Sequence, residues 1–400
     1  MVDRRESERS AWFVFWVFLR LGLTSFGGPV AHLGYFHSEF VERRRWLSEQ
    51  SYADLVALCQ FLPGPASSQV GMAIGLLRSG YKGAFAAWLG FTLPSAIVLI
   101  LFALGVGLYG HAMPVGVLQG LKIVAVAVVA QAVWGMARQL CPDAVRVTLM
   151  VAACCAVLWL PFTFVQVIVI AFAALLGMVV CKASTKGPTE ALLIPVTRRA
   201  GVRWLVLFVV LLIGLPLLAL LHSSVLLSMT DAFYRAGALV FGGGHVVLPL
   251  LQADMVPTGL VSNETFLAGY GAAQAVPGPL FTFAAFLGAS LQGPITGWWG
   301  GLIVVVVIFV PSFLLVVGAL PFWEQLRRNQ HAQSALMGVN AAVVGVLVAA
   351  LYDPVWTSAI HTSRDFAVAL VALVALMVWK LPPWLVVLGT GGLVGVFAMV

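Results

Sequence analysis

Long apolar runs, separated by short polar or basic loops, fill this chain from end to end. A helix needs about 20 apolar residues to cross the hydrocarbon of a bilayer. On that measure the pattern predicts spans at Ala84–Tyr109 and Val115–Ala137, then shorter ones at Val147–Leu160 and Phe162–Val180. The second half repeats the series at Gly297–Leu320, Ala332–Leu351, Phe366–Val378 and Leu381–Val400. Other apolar stretches are only half as long. Tyr52–Leu62 and Ala66–Leu77 flank Pro63-Gly64-Pro65, and Leu280–Leu291 follows Pro277-Gly278-Pro279. These read as broken or re-entrant helices, giving nine full spans and four hairpins. Counting the short runs as crossings raises the total to about 13.

Composition makes the bilayer the solvent. Hydrophobic residues form 61% of the 400 and charged residues only 9%, against about 25% charged in a soluble domain. The formal charge of +7 does not point to nucleic acid, because the basic residues lie in short loops between apolar runs, the pattern that orients membrane proteins. Arg4, Arg5 and Arg9 precede the apolar run Ala11–Leu19, and no small-x-small cleavage site follows. This segment therefore reads as a retained first helix with a cytoplasmic N-terminus. The five cysteines show no CxxC or Cys/His spacing and read as small buried hydrophobes. Neither a metal nor a cofactor is expected.

An internal repeat organises the chain. Phe18, Arg20 and Gly22 match Phe233, Arg235 and Gly237 at an offset of 215, as do Phe26-Gly27-Gly28 and Phe241-Gly242-Gly243, and Glu39 and Asp254. At an offset of 214, Gln60, Pro63, Gly64 and Pro65 match Gln274, Pro277, Gly278 and Pro279. Pro94-Ser95 then matches Pro311-Ser312, and Gly120 matches Gly338. Residues 1–181 form the first repeat and 226–400 the second. Residues 182–225 join them as a basic linker followed by one unpaired apolar run, Trp204–Leu221. That odd helix inverts the second repeat, an arrangement common among transporters. Charge agrees: Arg43–Arg45, Arg78, Lys82, Arg138 and Arg146 sit in the first repeat, whereas no Lys or Arg occurs between Arg235 and Arg327. The expected fold is an all-α polytopic membrane protein, an inverted repeat of two homologous halves with broken helices.

Unpaired backbone groups at membrane depth are tolerated only where they line a cavity or are buried in protein. Four breaks thus point to a central site at Phe26-Gly27-Gly28, Pro63-Gly64-Pro65, Phe241-Gly242-Gly243 and Pro277-Gly278-Pro279. Each helix that restarts there offers N–H donors and partial positive charge to an anion. Arg20 and Arg235, each six residues before a Phe-Gly-Gly, can bind a tetrahedral oxyanion through the guanidinium fork, or instead pair with Glu39 and Asp254. Lys122, whose repeat partner is Asn340, is a further cation. Gln60, Gln274, Ser67 and Ser68 can donate hydrogen bonds to a ligand or tie helices together. Glu39 and Asp254 are candidates for proton coupling, or solvated residues beside Arg43–Arg45 in the case of Glu39. No Walker loop, nucleophile elbow or metal-ligand spacing is present, so an enzyme is not expected.

The residues Phe26-Gly-Gly-Pro29, Glu39–Leu47, Gln60–Pro65 and Pro94-Ser95, with Phe241–Gly244 and Ala273–Pro279, resemble the chromate ion transporter family over essentially the whole chain. The resemblance implies a two-domain bacterial inner-membrane protein that exports chromate, driven by the proton gradient or the membrane potential, and confers resistance to it. Sulfate or another oxyanion remains an alternative substrate. The expected partners are chromate or a similar oxyanion, membrane lipid, and a second copy of the chain in a homodimer. One departure is Phe241-Gly-Gly-Gly-His245 where the first repeat has Phe-Gly-Gly-Pro-Val.

Overall fold

A computed structural model describes residues 10–109, 115–160, 165–182, 195–222, 224–292 and 295–397. Arg4, Arg5, Arg9, Lys186 and the ends of the spans expected at Phe162 and Val400 lie outside them. Helices follow one another and no strand occurs among the described residues, which makes this an all-α membrane protein of two related halves. The first half comprises α1 (Ala11–Thr24), α2 (Gly28–His37), α3 (Glu49–Phe61), α4 (Ala66–Tyr109), α5 (Val115–Leu140), α6 (Ala144–Trp159) and α7 (Val165–Val180). The unpaired α8 (Arg198–Leu221) follows. The second half repeats the set as α9 (Val225–Leu239), α10 (Val247–Met255), α11 (Asn263–Ala273), α12 (Phe283–Ser290), α13 (Gly297–Ala319), α14 (Gln330–Ala350), α15 (Ser363–Met377) and α16 (Pro383–Phe397).

Polar side chains set the helix starts. Ser48, Asp143, Thr197 and Ser262 each accept a backbone N–H at an N-cap, and Thr362 with Asp365 forms a capping box on α15, each satisfying donors that would otherwise have no partner. The breaks fall where the sequence places them. α1 ends at an extended Ser25 before Gly27 and Gly28, and α3 ends at Leu62 before Pro63-Gly64-Pro65. α4 is itself divided at Ser79 and Gly80, which leave the helical region. Its two arms fold back on each other, because a Cβ on Gly75 would strike the Gly83 carbonyl. The first arm, Ala66–Arg78, is thus half a span, as a re-entrant hairpin requires. In the second half Gly288 meets Gly300 in the same way, folding α12 against α13.

Counterpart helices run in opposite directions. Trp88 of α4 packs on Phe309 of α13 with ring centroids 5.9 Å apart, while Ile100 meets Gly301 and Leu104 meets Gly297. Numbers rise along one helix as they fall along the other, so the two long arms are antiparallel and the repeat is inverted. Each half also packs its last helices on the other half. Gly338 of α14 sits against Gly177 of α7, and Gly120 of α5 sits against Gly391 of α16. Small residues permit this close approach of backbones, which is how membrane helices gain packing without a hydrophobic drive between them. α8 lies at the periphery, with Gly201 fitted beneath the Gly318 carbonyl and the rest of its length largely exposed.

Length corrects one expectation. Five helices among the described residues are long and apolar enough to cross a membrane. α6 and α15 have 16 and 15 residues, rising about 24 Å at most, short of the roughly 30 Å of hydrocarbon in a bilayer, whereas α7 and α16 adjoin residues outside the described ones. Turns capped by Asp143 and Thr362 start α6 and α15 outside their apolar stretches.

The glycine crossings give a direct test. Gly338→Val and Gly120→Val insert a branched side chain between backbones, and each is expected to destabilise the detergent-solubilised protein by about 1–3 kcal/mol. Gly389→Val, where a Cβ meets nothing within 4 Å, is expected to be neutral in the same thermal-unfolding measurement.

Candidate functional site

The four breaks meet at the centre and are joined reciprocally. The Gly64 N–H donates to the Val240 carbonyl at 2.6 Å, and the Gly278 N–H donates to the Ser25 carbonyl at 3.0 Å. Gly64 and Gly278 are repeat partners, and so are Val240 and Ser25. Each Pro-Gly-Pro thus closes on the residue that precedes the Phe-Gly-Gly of the other half. Only glycine suits these two positions. Their φ angles are +125° and +100°, and a Cβ would come within 2.7 Å of the Ser312 hydroxyl at Gly64 and 2.9 Å of the Ser95 hydroxyl at Gly278. Ser95 and Ser312 follow the matched prolines inside α4 and α13, so the long arms of both halves close over the breaks.

Local bonds shape each loop. The Gln69 side chain donates to the Pro63 carbonyl at 2.6 Å, and the Thr282 hydroxyl donates to the Pro279 carbonyl at 2.7 Å. Ser67 shares a 3.3 Å hydrogen bond with His32 Nδ1, and both are buried. Around them lie buried polar atoms with no hydrogen-bond partner among the described residues: Ser25 Oγ, Ser68 Oγ, Gln69 Oε1, Gln274 Nε2, Ser312 Oγ and Asn340 Oδ1. Each buried polar atom left without a partner costs about 1–3 kcal/mol. Their gathering at the breaks makes this the candidate site.

Beside the breaks opens a cavity of about 310 Å³. Pro29 and Val30 from the first turn of α2, Gly64 and Ala66 at the start of α4, and Gly242 and Gly243 just before α10 all line it. Leu280, at the start of the turn leading into α12, abuts Gly244 from behind. Helix N-termini of roughly +0.5 charge each therefore converge where, among the described residues, no Lys or Arg lines the wall. Gln60, Gln139 and Asn340 supply the side-chain amides. The cavity lies toward the end of α5 and the first turns of α14, so it is on the face that carries Arg138, Arg146 and Arg327.

The structure sorts the sequence candidates. Gln60, Gly64, Gly242, Gly243 and Asn340 line the cavity, and Gly27, Gly28, Pro63, Pro65, Ser67 and Ser68 belong to the loops and first turns around it. Phe26, Phe241, Gln274, Pro277, Gly278 and Pro279 lie in the break segments without lining the cavity. Arg20 does not reach it. α1 buries the stripe Val14, Val17, Phe18 and Leu21, and Arg20 falls outside that stripe and is exposed. Arg235 is held elsewhere, with its Nη2 3.0 Å from Asp231 and 3.2 Å from Asp254. The two arginines differ for a visible reason: Trp16 stands at the repeat position of Asp231, and Glu39 is taken up by Arg43 at 2.9 Å and Arg44 at 2.5 Å. Lys122 lies near the other end of α5, 3.7 Å from Glu264.

Sequence reasoning missed Asp231, Glu264, Gln69, Gln139 and the carbonyls of Ser25 and Val240. Asp231 had a signal, since it stands one helical turn before Arg235. The carbonyls had none, because backbone partners are not written in side-chain identity.

Two regions of the chain, residues 12–178 and 227–396, match the model of one protein family, described as chromate transporter. Similar proteins include a probable chromate transport protein of Synechococcus elongatus, 26% identical over 91% of this chain and 88% of its own. A chromate transport protein of Pseudomonas aeruginosa is 29% identical over 84% of this chain and 79% of its own. An uncharacterized transporter of Methanocaldococcus jannaschii is 28% identical over 86% and 84%. No solved structure matches the chain.

The buried ion cluster and the exposed arginine predict opposite outcomes. Arg235 is 18% exposed, with Asp231 at 11% and Asp254 at 19%, so Arg235→Ala leaves two carboxylates facing each other and is expected to destabilise by about 3–5 kcal/mol. Arg20→Ala is expected to stay within about 0.5 kcal/mol of the parent. Thermal unfolding followed by size-exclusion chromatography in detergent measures both.

Proposed function

The chain belongs to the chromate transporter family, and on that premise we propose that it is a secondary transporter carrying chromate across the bacterial inner membrane. The observation that supports this reading best is the cavity at the interlocked breaks, where helix starts and three side-chain amides meet. A tetrahedral dianion needs donors on several sides and positive potential. Three helix N-termini lining one cavity supply roughly +1.5 of partial charge and fixed N–H donors, with Gln60, Gln139 and the Asn340 amide beside them. Such a site holds an anion by dipoles rather than by full charges, which leaves the bound ion free to depart.

Orientation follows from charge. The face carrying Arg43–Arg45, Arg78, Arg138, Arg146, Arg198 and Arg199 reads as cytoplasmic, which places the N-terminus inside and opens the 310 Å³ cavity to the cytoplasm. Cytoplasmic capture suits export, and export of chromate would confer resistance. The proton gradient or the membrane potential would drive it. Of the carboxylates named for coupling, Asp254 is the one that shares its guanidinium with a second carboxylate, Asp231. Two carboxylates around one arginine leave an excess negative charge in a low dielectric, where a proton can be held. Glu39 is tied to two arginines on the basic face and is the weaker candidate. Sulfate, of the same charge and shape, is the alternative substrate. The transport names of the relatives also favour carriage over catalysis.

Radiolabelled chromate flux in inside-out vesicles, with the proton gradient and the potential collapsed separately, tests substrate, direction and driving force together. Gln60→Ala and Asn340→Ala are each expected to raise KM about tenfold, equivalent to about 1.4 kcal/mol of binding, with folded yield unchanged. Sulfate flux that exceeds chromate flux, and is not displaced by chromate, would exchange the two readings.

A further inference from the structure

The inverted repeat gives the large cavity a counterpart at the other end of α5. Leu336 and Asn340 line the first. Their repeat partners, Leu118 and Lys122, line a second cavity of about 130 Å³ together with Gln119, Glu264 and Thr265. Lys122 and Gln139 stand on the same helix, about 26 Å apart at 1.5 Å per residue, so the cavities approach the centre from opposite ends.

They differ in depth. The large one reaches Gln60 and Gly64 at the break. The small one stops at the first turns of α11, around Glu264 and Ala268, and does not include Gln274 or Gly278, the partners of Gln60 and Gly64. Gln274 Nε2 is buried without a protein partner. One end is open to the breaks and the other is shut short of them.

They also differ in chemistry. Lys122 takes the place of Asn340 and, among the described residues, is the one cationic side chain lining either cavity. Its side chain is 10% exposed, and its Nζ lies 3.7 Å from Glu264 Oε1. A buried ammonium in a membrane-embedded helix requires a counter-anion. Glu264 provides one from an outward position, its side chain 84% exposed, so the carboxylate can leave without unfolding anything and another oxyanion can replace it.

We propose that Lys122 is the anion-binding group of the half-site on this face, and that the Glu264 carboxylate stands where a substrate oxyanion binds when the face opens. The inference rests on the transporter reading above. An anion reaching Lys122 displaces Glu264. Once the anion leaves, Glu264 returns to Lys122 and closes the vestibule, so that the ammonium is never left alone.

The test is the KM for radiolabelled chromate, measured from each face with the full chain in inside-out and right-side-out vesicles. Glu264→Gln removes the competing carboxylate at an exposed position, and KM on the Lys122 face is expected to fall several-fold while that on the basic face stays within twofold. Lys122→Gln is expected to raise KM on the same face at least tenfold, and Lys122→Arg to remain near the parent value. Unchanged KM in Glu264→Gln and Lys122→Gln, or equal shifts on both faces, overturns the proposal while leaving chromate transport intact. A parent protein that carries no oxyanion overturns the transporter reading and this proposal together.

Discussion

A broken helix inside a membrane must find partners for the backbone groups that the break releases, since no bulk water is there to take them. In this protein the partners come from the other half. The Gly64 N–H meets the Val240 carbonyl and the Gly278 N–H meets the Ser25 carbonyl, so neither half completes its own break. Much of the architecture follows from this exchange. The breaks must lie back to back, the long arms α4 and α13 must cross antiparallel to bring Ser95 and Ser312 over the glycines, and no bulkier residue can stand at either glycine. The outer helices obey the same logic, with α7 packed on α14 and α16 packed on α5. Each half is a scaffold for the site of the other.

On the proposed reading, the same exchange explains how an anion is held without a Lys or Arg among the described residues of the cavity wall. Helices that start at Gly28 and Ala66, and the Gly242-Gly243 turn that leads into α10, meet at one cavity because the breaks are locked together. Their dipoles are fixed by the backbone and cost nothing to orient when a ligand arrives. An arginine at that depth would need its own counter-ion in the empty state, and Arg235 illustrates the point by engaging Asp231 and Asp254. Converging helix ends offer positive potential that is already satisfied within its helices, which suits a carrier that must both bind and release.

Much of this was legible in the sequence, and the limits have physical causes. The repeat was readable because Phe-Gly-Gly and Pro-Gly-Pro recur at nearly constant offset, and the inversion because Trp204–Leu221 has no partner and the second half lacks basic loops. The breaks at Gly64 and Gly278 were readable as breaks. Their joining was not, since the acceptors are main-chain oxygens of Ser25 and Val240. The outward placement of Arg20 was hidden for a different reason. On α1 the neighbours Phe13, Phe15, Trp16 and Phe18 are all apolar, and in a membrane helix an apolar residue faces lipid as readily as protein, so periodicity could not say which side is buried. The pairing of Lys122 with Glu264 joins residues 142 positions apart, and nothing local announces it.

Where the halves diverge, the divergence falls on charge. Asn340 faces the cavity on the basic side and Lys122 the smaller cavity on the other. A path with neutral amides at the entrance and an ammonium at the exit would hold its dianion most tightly where it must let go. An exposed carboxylate beside that ammonium resolves the difficulty, because it lowers the net pull on the departing anion and is itself favoured once the anion has gone. On this view Glu264 is the necessary complement of Lys122 rather than an incidental surface residue. The basic side needs no such device, because its binding rests on helix ends and amides that carry no net charge to neutralise.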